Sequence, residues 1–409
     1  MSSLKKNIFY SSILTTANYI FPLLTYPYVS RVLGVANIGV CNFVDSLINY
    51  YVIFSMLGIA TVGIREISQS KGCRASLDKT FSRLLTINTI TTSIVLAVLV
   101  ASIYLVPKLY ENRELMWIGA LKLVSTYLLI DWLYKGLEEF KYITNRTILV
   151  KCLYVISVFL FIRSAEDTRL YFFLLTMMIT ANAAINLFHS RKYVTFRFCF
   201  DGLKPVFKAV TILGIYGILT SLYTTFNTVF LGFACGDVEV GYYATSHKIF
   251  KIILALFTAV TGVMMPRLSS LIAEGRHEEF KSLLKKSFSM LMMIFIPIAA
   301  GICVFAPLII RIIAGPEFEG AIIPLRIIAP LIVIIGIEQI IIIQGLMPLK
   351  QDKAILINSI AGAITGITLN ILLVPQHGAV GASIAWFASE CVVLTSALIF
   401  FRKAMKEIK

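Results

Sequence analysis

Residues 288–313 read FSMLMMIFIPIAAGICVFAPLIIRII, a run with one charge, Arg311, next to its end. A helix needs about 20 apolar residues to cross a hydrocarbon core of about 30 Å, so this run is long enough to span a bilayer. Lys281, Lys285 and Lys286 stand just before it. Lysine and arginine gather on the cytoplasmic side of membrane spans, so the cluster also says which way the run points. These two signals, apolar length and basic flank, read the rest of the chain.

Eleven further apolar runs fall at 8–32, 38–62, 84–106, 115–133, 143–162, 170–188, 206–233, 240–265, 322–347, 354–374 and 379–401. The whole chain of 409 residues is 58% hydrophobic and only 14% charged, with a mean hydropathy of +0.85. Soluble domains carry about 25% charged residues. The expected fold is therefore an all-α membrane protein of about twelve transmembrane helices, with no length left for a soluble domain. Lys5 and Lys6 precede an apolar run longer than a signal-peptide core, which reads as an uncleaved first helix.

A net charge of +15 would suggest nucleic acid in a soluble protein, but here the basic residues sort by side. With the N-terminus in the cytoplasm, the two ends and the even-numbered loops hold 27 of the 37 Lys and Arg residues, Arg146 and Lys151 included. The opposite face holds five. The bias predicts an inner (cytoplasmic) membrane protein with both termini cytoplasmic and no nucleic-acid partner. The seven cysteines never fall in a CxxC spacing and their number is odd, so neither a zinc site nor a disulfide framework is expected. The four histidines are scattered, and GxSxG, HExxH and Gly-rich phosphate loops are missing. The sequence thus predicts a protein that is not an enzyme and holds no cofactor.

An internal repeat accompanies the helices. Leu33-Gly34 is followed by Ile38-Gly39-Val40, and Leu231-Gly232 by Val240-Gly241-Tyr242. One helix later, Phe81-Ser82-Arg83-Leu84-Leu85 echoes in Phe280-Lys281-Ser282-Leu283-Leu284. The shared order predicts two six-helix repeats of the same orientation around a central cavity, 1–200 as the N-terminal lobe and 201–409 as the C-terminal lobe. Such a pair is the usual frame of an alternating-access transporter.

A charge at mid-bilayer costs at least about 2.5–3.5 kcal/mol on insertion scales, so it needs a partner, a watery space or an escape to the interface. Lys248 and Lys251 are spaced i, i+3 on one helix face and sit deep in the eighth run. They are read as substrate-binding cavity cations, with pairing to a carboxylate as the alternative, and Lys122 in the fourth run follows the same argument. Arg31 and Arg326 are shallower and either guard the cavity mouth or snorkel. Lys151 and Arg311 are read as snorkelling. Among the buried acids, Glu390, Glu338 and Asp45 are ion-coupling candidates for H+ or Na+, with salt bridging to the lysines as the alternative. Asp131 reads as structural.

The run Asp131-Trp132-Leu133-Tyr134-Lys135-Gly136-Leu137-Glu138-Glu139-Phe140-Lys141-Tyr142-Ile143-Thr144 resembles the loop between helices 4 and 5 of the polysaccharide transporter family. These are the O-antigen and capsule flippases, in the superfamily that also holds multidrug exporters and lipid II flippases. Leu203-Lys204-Pro205, Val240-Gly241-Tyr242-Tyr243 with Lys248-Ile249, Val374-Pro375, Gly378-Ala379-Val380-Gly381-Ala382 and Ser389-Glu390 extend the resemblance over nearly the whole chain. It implies two six-helix lobes around a cationic cavity that accepts an undecaprenyl-pyrophosphate-linked glycan from surrounding membrane lipids. A polysaccharide polymerase and a chain-length regulator would be its partners. Asn227 stands where many relatives carry an acid, which puts ion coupling at that position in doubt. The alternatives are a cation-coupled multidrug exporter, expected to line its cavity with carboxylates and aromatics, and an integral-membrane polymerase, expected to carry a long external loop.

Overall fold

The computed structural model describes residues 3–349 and 351–407; Lys350 and Lys409, both in the basic clusters, lie outside them. The described residues are almost wholly helical and contain no strand. In chain order the helices are α1 (Ser3–Met56), α2 (Ile59–Ser70), α3 (Arg74–Leu105), α4 (Pro107–Glu111), α5 (Arg113–Leu128), α6 (Asp131–Gly136), α7 (Phe140–Phe161) and α8 (Thr168–Ser190). They continue with α9 (Leu203–Thr224), α10 (Phe226–Cys235), α11 (Asp237–Ala273), α12 (His277–Ile313), α13 (Ile322–Ile328), α14 (Leu331–Gln339) and α15 (Asp352–Glu407).

Two of these are pairs of helices joined without a loop. Gly34 inside α1 has φ 78° and ψ 170°, and Gly378 inside α15 has φ 53° and ψ −131°. Such conformations are essentially restricted to glycine, and each one breaks its helix in two. Conversely, α9 with α10, and α13 with α14, each make one interrupted passage; the second pair bends by 43°. Counted this way, the described chain makes twelve long helical passages, the number the apolar runs predict. Their outward faces are apolar: Ile94, Val98, Leu105 and Leu149 are more than half exposed, as side chains solvated by lipid can be.

The chain divides into two compact units, Met1–Gly34 with Cys41–Ile218, and Val35–Val40 with Leu219–Lys409. In the first, a buried cluster of Ile59, Leu84, Trp132, Leu133 and Tyr134 forms around α6. Gly63 of α2 leaves room for the Trp132 ring, which lies 5.5 Å from Phe81. Hydroxyl pairs join neighbouring helices: Ser55 with Thr92 at 2.6 Å, Thr89 with Tyr127 at 2.7 Å and Ser125 with Thr180 at 2.7 Å. In membrane proteins such bonds are worth about 0.6 kcal/mol each on average, useful where apolar burial between helices gains little.

In the second unit, residues 35–40 cross the start of α11 at very close range. A Cβ on Gly39 would collide with the Asp237 carbonyl oxygen, and one on Gly241 with that of Val35. The backbone also corrects the register of the repeat. Gly236, between α10 and α11, has φ 90° and ψ −175°, nearly the conformation of Gly34. Gly34 precedes Gly39 by the same five residues as Gly236 precedes Gly241, so its counterpart is Gly236 and not Gly232.

Arg146 and Lys151 need correction too. Both lie inside α7 and are buried, not in a loop. Lys151 is eleven residues into the helix, about 17 Å at 1.5 Å per residue, too deep for the snorkelling expected of it. Partners make the depth tolerable. The Lys151 ammonium donates to Asn18 Oδ1 at 2.6 Å and to the Ala17 carbonyl at 3.4 Å, while Arg146 pairs with Asp131 at 3.2 Å. Arg311 is exposed within the last turn of α12, where snorkelling is possible.

Candidate functional site

In the first unit the candidate residues come together on the second half of α1 and the middle of α5. Lys122 Nζ donates to Asp45 Oδ1 at 2.5 Å and to Asn49 Oδ1 at 2.9 Å, and Asn49 Nδ2 donates to the other Asp45 oxygen at 3.2 Å. The Lys122 side chain is 11% exposed and that of Asp45 40% exposed. The structure thus adopts the paired alternative for Lys122: its charge is compensated where it enters the protein, and the carboxylate is the partner that reaches solvent. Asn49, one turn from Asp45, completes the cradle. Its i, i+4 spacing was the signal available in the sequence.

Asp131 sits at a second junction in this unit. It accepts from both terminal nitrogens of Arg146 and from Asn186 Nδ2 at 2.8 Å, while the Tyr134 hydroxyl donates to the Asn186 carbonyl at 2.5 Å. Ile130 just before it is left-handed, φ 41°, which turns the chain out of α5 and into α6. The family-like run 131–144 therefore encodes a charged hub that ties α6, α7 and α8 together.

In the second unit a chain of polar and aromatic side chains runs through the interior. Asn370 Nδ2 donates to Asn227 Oδ1 at 2.6 Å, and Asn227 Nδ2 donates to the Tyr243 hydroxyl at 2.9 Å. Tyr243 stacks on His247 with centroids 5.7 Å apart, and His247 meets the Trp386 ring edge-on at 4.9 Å. Trp386 Nε1 donates to Glu390 Oε1 at 2.7 Å. Glu338 of α14 and Glu390 of α15 are neighbours, and two ionised carboxylates this close would repel each other. Both are buried, and Glu338 Oε1 and Asn370 Oδ1 have no hydrogen-bond partner among the described residues. Glu338 is the penultimate residue of α14, which runs directly into the π-helical turn Ile340–Leu346, an irregularity frequent at functional sites.

Glu338 and Glu390 are therefore together, although they are far apart in sequence. His247, set aside as scattered, and Trp386 are members of the chain that sequence reading missed. The spacings Tyr243–His247 and Trp386–Glu390, both i, i+4, were the legible part of it. Asn227 lies at the neutral end of this chain.

Lys248 and Lys251 follow His247 on α11, half-buried and exposed respectively. Lys251 is fourteen residues into the helix, about 21 Å from its start. Arg31 and Arg326 are both exposed and each donates to a backbone carbonyl, Arg31 to Pro27 at 2.5 Å and Arg326 to Cys303 at 3.0 Å.

A family profile described as "Polysaccharide biosynthesis protein" matches residues 4–272. The chain belongs to this family. A protein of Escherichia coli K12 named for O-antigen transport is 25% identical over 98% of this chain and 97% of its own length. The fold is shared with solved transporter structures. It matches a structure described as lipid II flippase MurJ in an inward closed conformation with a TM-score of 0.79, at 14% identity over 97% of this chain and 89% of that one. It matches an outward-facing multidrug resistance MATE transporter with a TM-score of 0.64, at 15% identity over 99% and 96%. The family member is a multi-pass membrane protein, and the homologues are named as transporters and flippases rather than as enzymes.

Proposed function

We propose that the protein is a flippase that moves an undecaprenyl-pyrophosphate-linked oligosaccharide, such as an O-antigen repeat unit, from the cytoplasmic to the outer leaflet by alternating access. Its place is the bacterial inner membrane, with both termini cytoplasmic, ahead of a polysaccharide polymerase and a chain-length regulator. The observation that carries the substrate class is the exposed residue Lys251 far along α11, with Lys248 one turn before it. An exposed charge at such depth is costly against hydrocarbon and so faces water, where an anionic diphosphate can reach it. In a water-poor space the attraction between an ammonium and a diphosphate is far stronger than in bulk solvent. Lys122, already compensated by Asp45, contributes less, and in this reading Arg31 and Arg326 are further cations for the headgroup.

The Glu338–Glu390 pair supplies the coupling device in this reading. Two adjacent carboxyls share one proton readily and lose it only when their surroundings open, and the unpartnered Glu338 Oε1 leaves an acceptor for H+ or Na+. Deleting the gene tests the function. Surface polysaccharide should be lost while the lipid-linked unit accumulates on the cytoplasmic leaflet; normal surface glycan in a strain with no second flippase would refute it.

A further inference from the structure

At the end that α7 and α8 share lies an open recess of about 550 Å³. Lys141, Tyr142 and Arg146 of α7 line it together with His189 of α8 and the following Lys192 and Tyr193. We propose that this recess seats the phosphate headgroup of an anionic phospholipid, a site separate from the path of the transported glycan.

Its charge is the first argument. Three cations face one acid, Glu139, which already accepts a hydrogen bond from the Tyr193 hydroxyl at 3.2 Å. Lys141 and Lys192 make no ion pair among the described residues and are exposed. Arg146 is 94% buried; its terminal nitrogens are committed to Asp131, and its Nε, buried in the wall, has no acceptor among the described residues. A buried donor without a partner is unfavourable. The first turn of α7, a 22-residue helix, opens on the same side and adds the positive end of its dipole.

The surroundings select a lipid over free phosphate. Tyr142 and His189 stack face to face at 4.1 Å, and Lys192 lies over Tyr193 at 5.5 Å, which places aromatic rings at the end of two membrane spans as in interfacial belts. Below the recess, Leu149 and Ile185 are exposed by 60% and 38%, an apolar track along which acyl chains can descend. Phe188 at the end of α8 and Phe198 and Phe200 in the segment after it are exposed by 75%, 62% and 68%, with Arg191 and Arg197 between them in the sequence. Alternating phenylalanine and arginine suits a segment lying in a headgroup layer.

The test uses the full-length purified protein in neutral detergent and measures binding of dioctanoyl phosphatidylglycerol, dioctanoyl phosphatidylcholine and inorganic phosphate by titration. Phosphatidylglycerol should bind preferentially to the wild type. The double variant Lys141→Gln, Lys192→Gln should lose about thirty-fold in that affinity, the factor two lysines contribute beside an anionic lipid. Lys403→Gln with Lys406→Gln, an equal charge loss elsewhere, should bind as the wild type does. Equal binding of phosphatidylcholine, no binding of phosphatidylglycerol, or the same loss in both double variants would overturn the assignment. Inorganic phosphate binding as tightly as the lipid would make this a free-phosphate site and overturn the lipid source.

Discussion

Lys122 and Asp45 are unequal partners, and the inequality is testable. Removing Asp45 strands a nearly buried ammonium, whereas removing Lys122 leaves a carboxylate with 40% of its side chain in contact with solvent. Breaking a buried pair from one side costs on the order of 3–5 kcal/mol. Asp45→Ala should therefore lower protein abundance in the membrane more than Lys122→Ala does, and the double variant should recover most of the loss; an immunoblot of membrane fractions decides. The carboxyl pair behaves differently. Glu390→Gln keeps the size and the acceptor for Trp386 Nε1 but removes a carboxyl from the proposed coupling pair, so abundance should stay normal while surface glycan falls at least ten-fold. Wild-type glycan in Glu390→Gln would remove the pair from the coupling scheme. At this scale the sequence showed which charges are buried, because a lone Lys or Glu in an apolar run is conspicuous. It did not show their partners, since Asp45 with Lys122, and Glu338 with Glu390, meet only through tertiary packing.

The breaks inside the helices were the least legible elements. The apolar runs located all twelve passages, because membrane length and hydropathy are local properties. The left-handed Ile130, the π-helical turn Ile340–Leu346 and the shift between α9 and α10 at Thr225 change neither composition nor hydropathy, so no pattern announces them. Glycines announced themselves, but their partners did not. Gly39 and Gly241 are required where residues 35–40 cross α11, and an alanine at either would drive a Cβ into backbone. Gly39→Ala and Gly241→Ala should each reduce transport and folded protein severely. Gly301→Ala in α12, where an added Cβ meets nothing within 4 Å, should be neutral or slightly favourable. Equal tolerance of all three in a detergent thermal-stability assay would show that the close crossing is not a native feature.

For the molecule as a whole, the basic residues of the loops carry the topology. Moving Arg146 and Lys151 into α7 leaves 25 basic residues on the cytoplasmic side against five opposite, so the prediction of cytoplasmic termini stands on the remaining clusters. Alkaline phosphatase fused after Arg197 should be inactive, and fused at Gly236 active; the reverse pattern would invert the protein in the membrane. The family and fold are shared with proteins named for different cargoes, so cargo rests on the side chains rather than on the architecture. The most direct measurement is of lipid movement itself. Purified protein in liposomes containing undecaprenyl-pyrophosphate-linked oligosaccharide should make the inner-leaflet glycan accessible to an added membrane-impermeant glycosidase. Lys248→Ala, Lys251→Ala protein at equal density should slow that exposure at least ten-fold. Glycan that stays protected in wild-type liposomes with an imposed proton or sodium gradient, or exposure that is as fast with the double variant, would contradict the account.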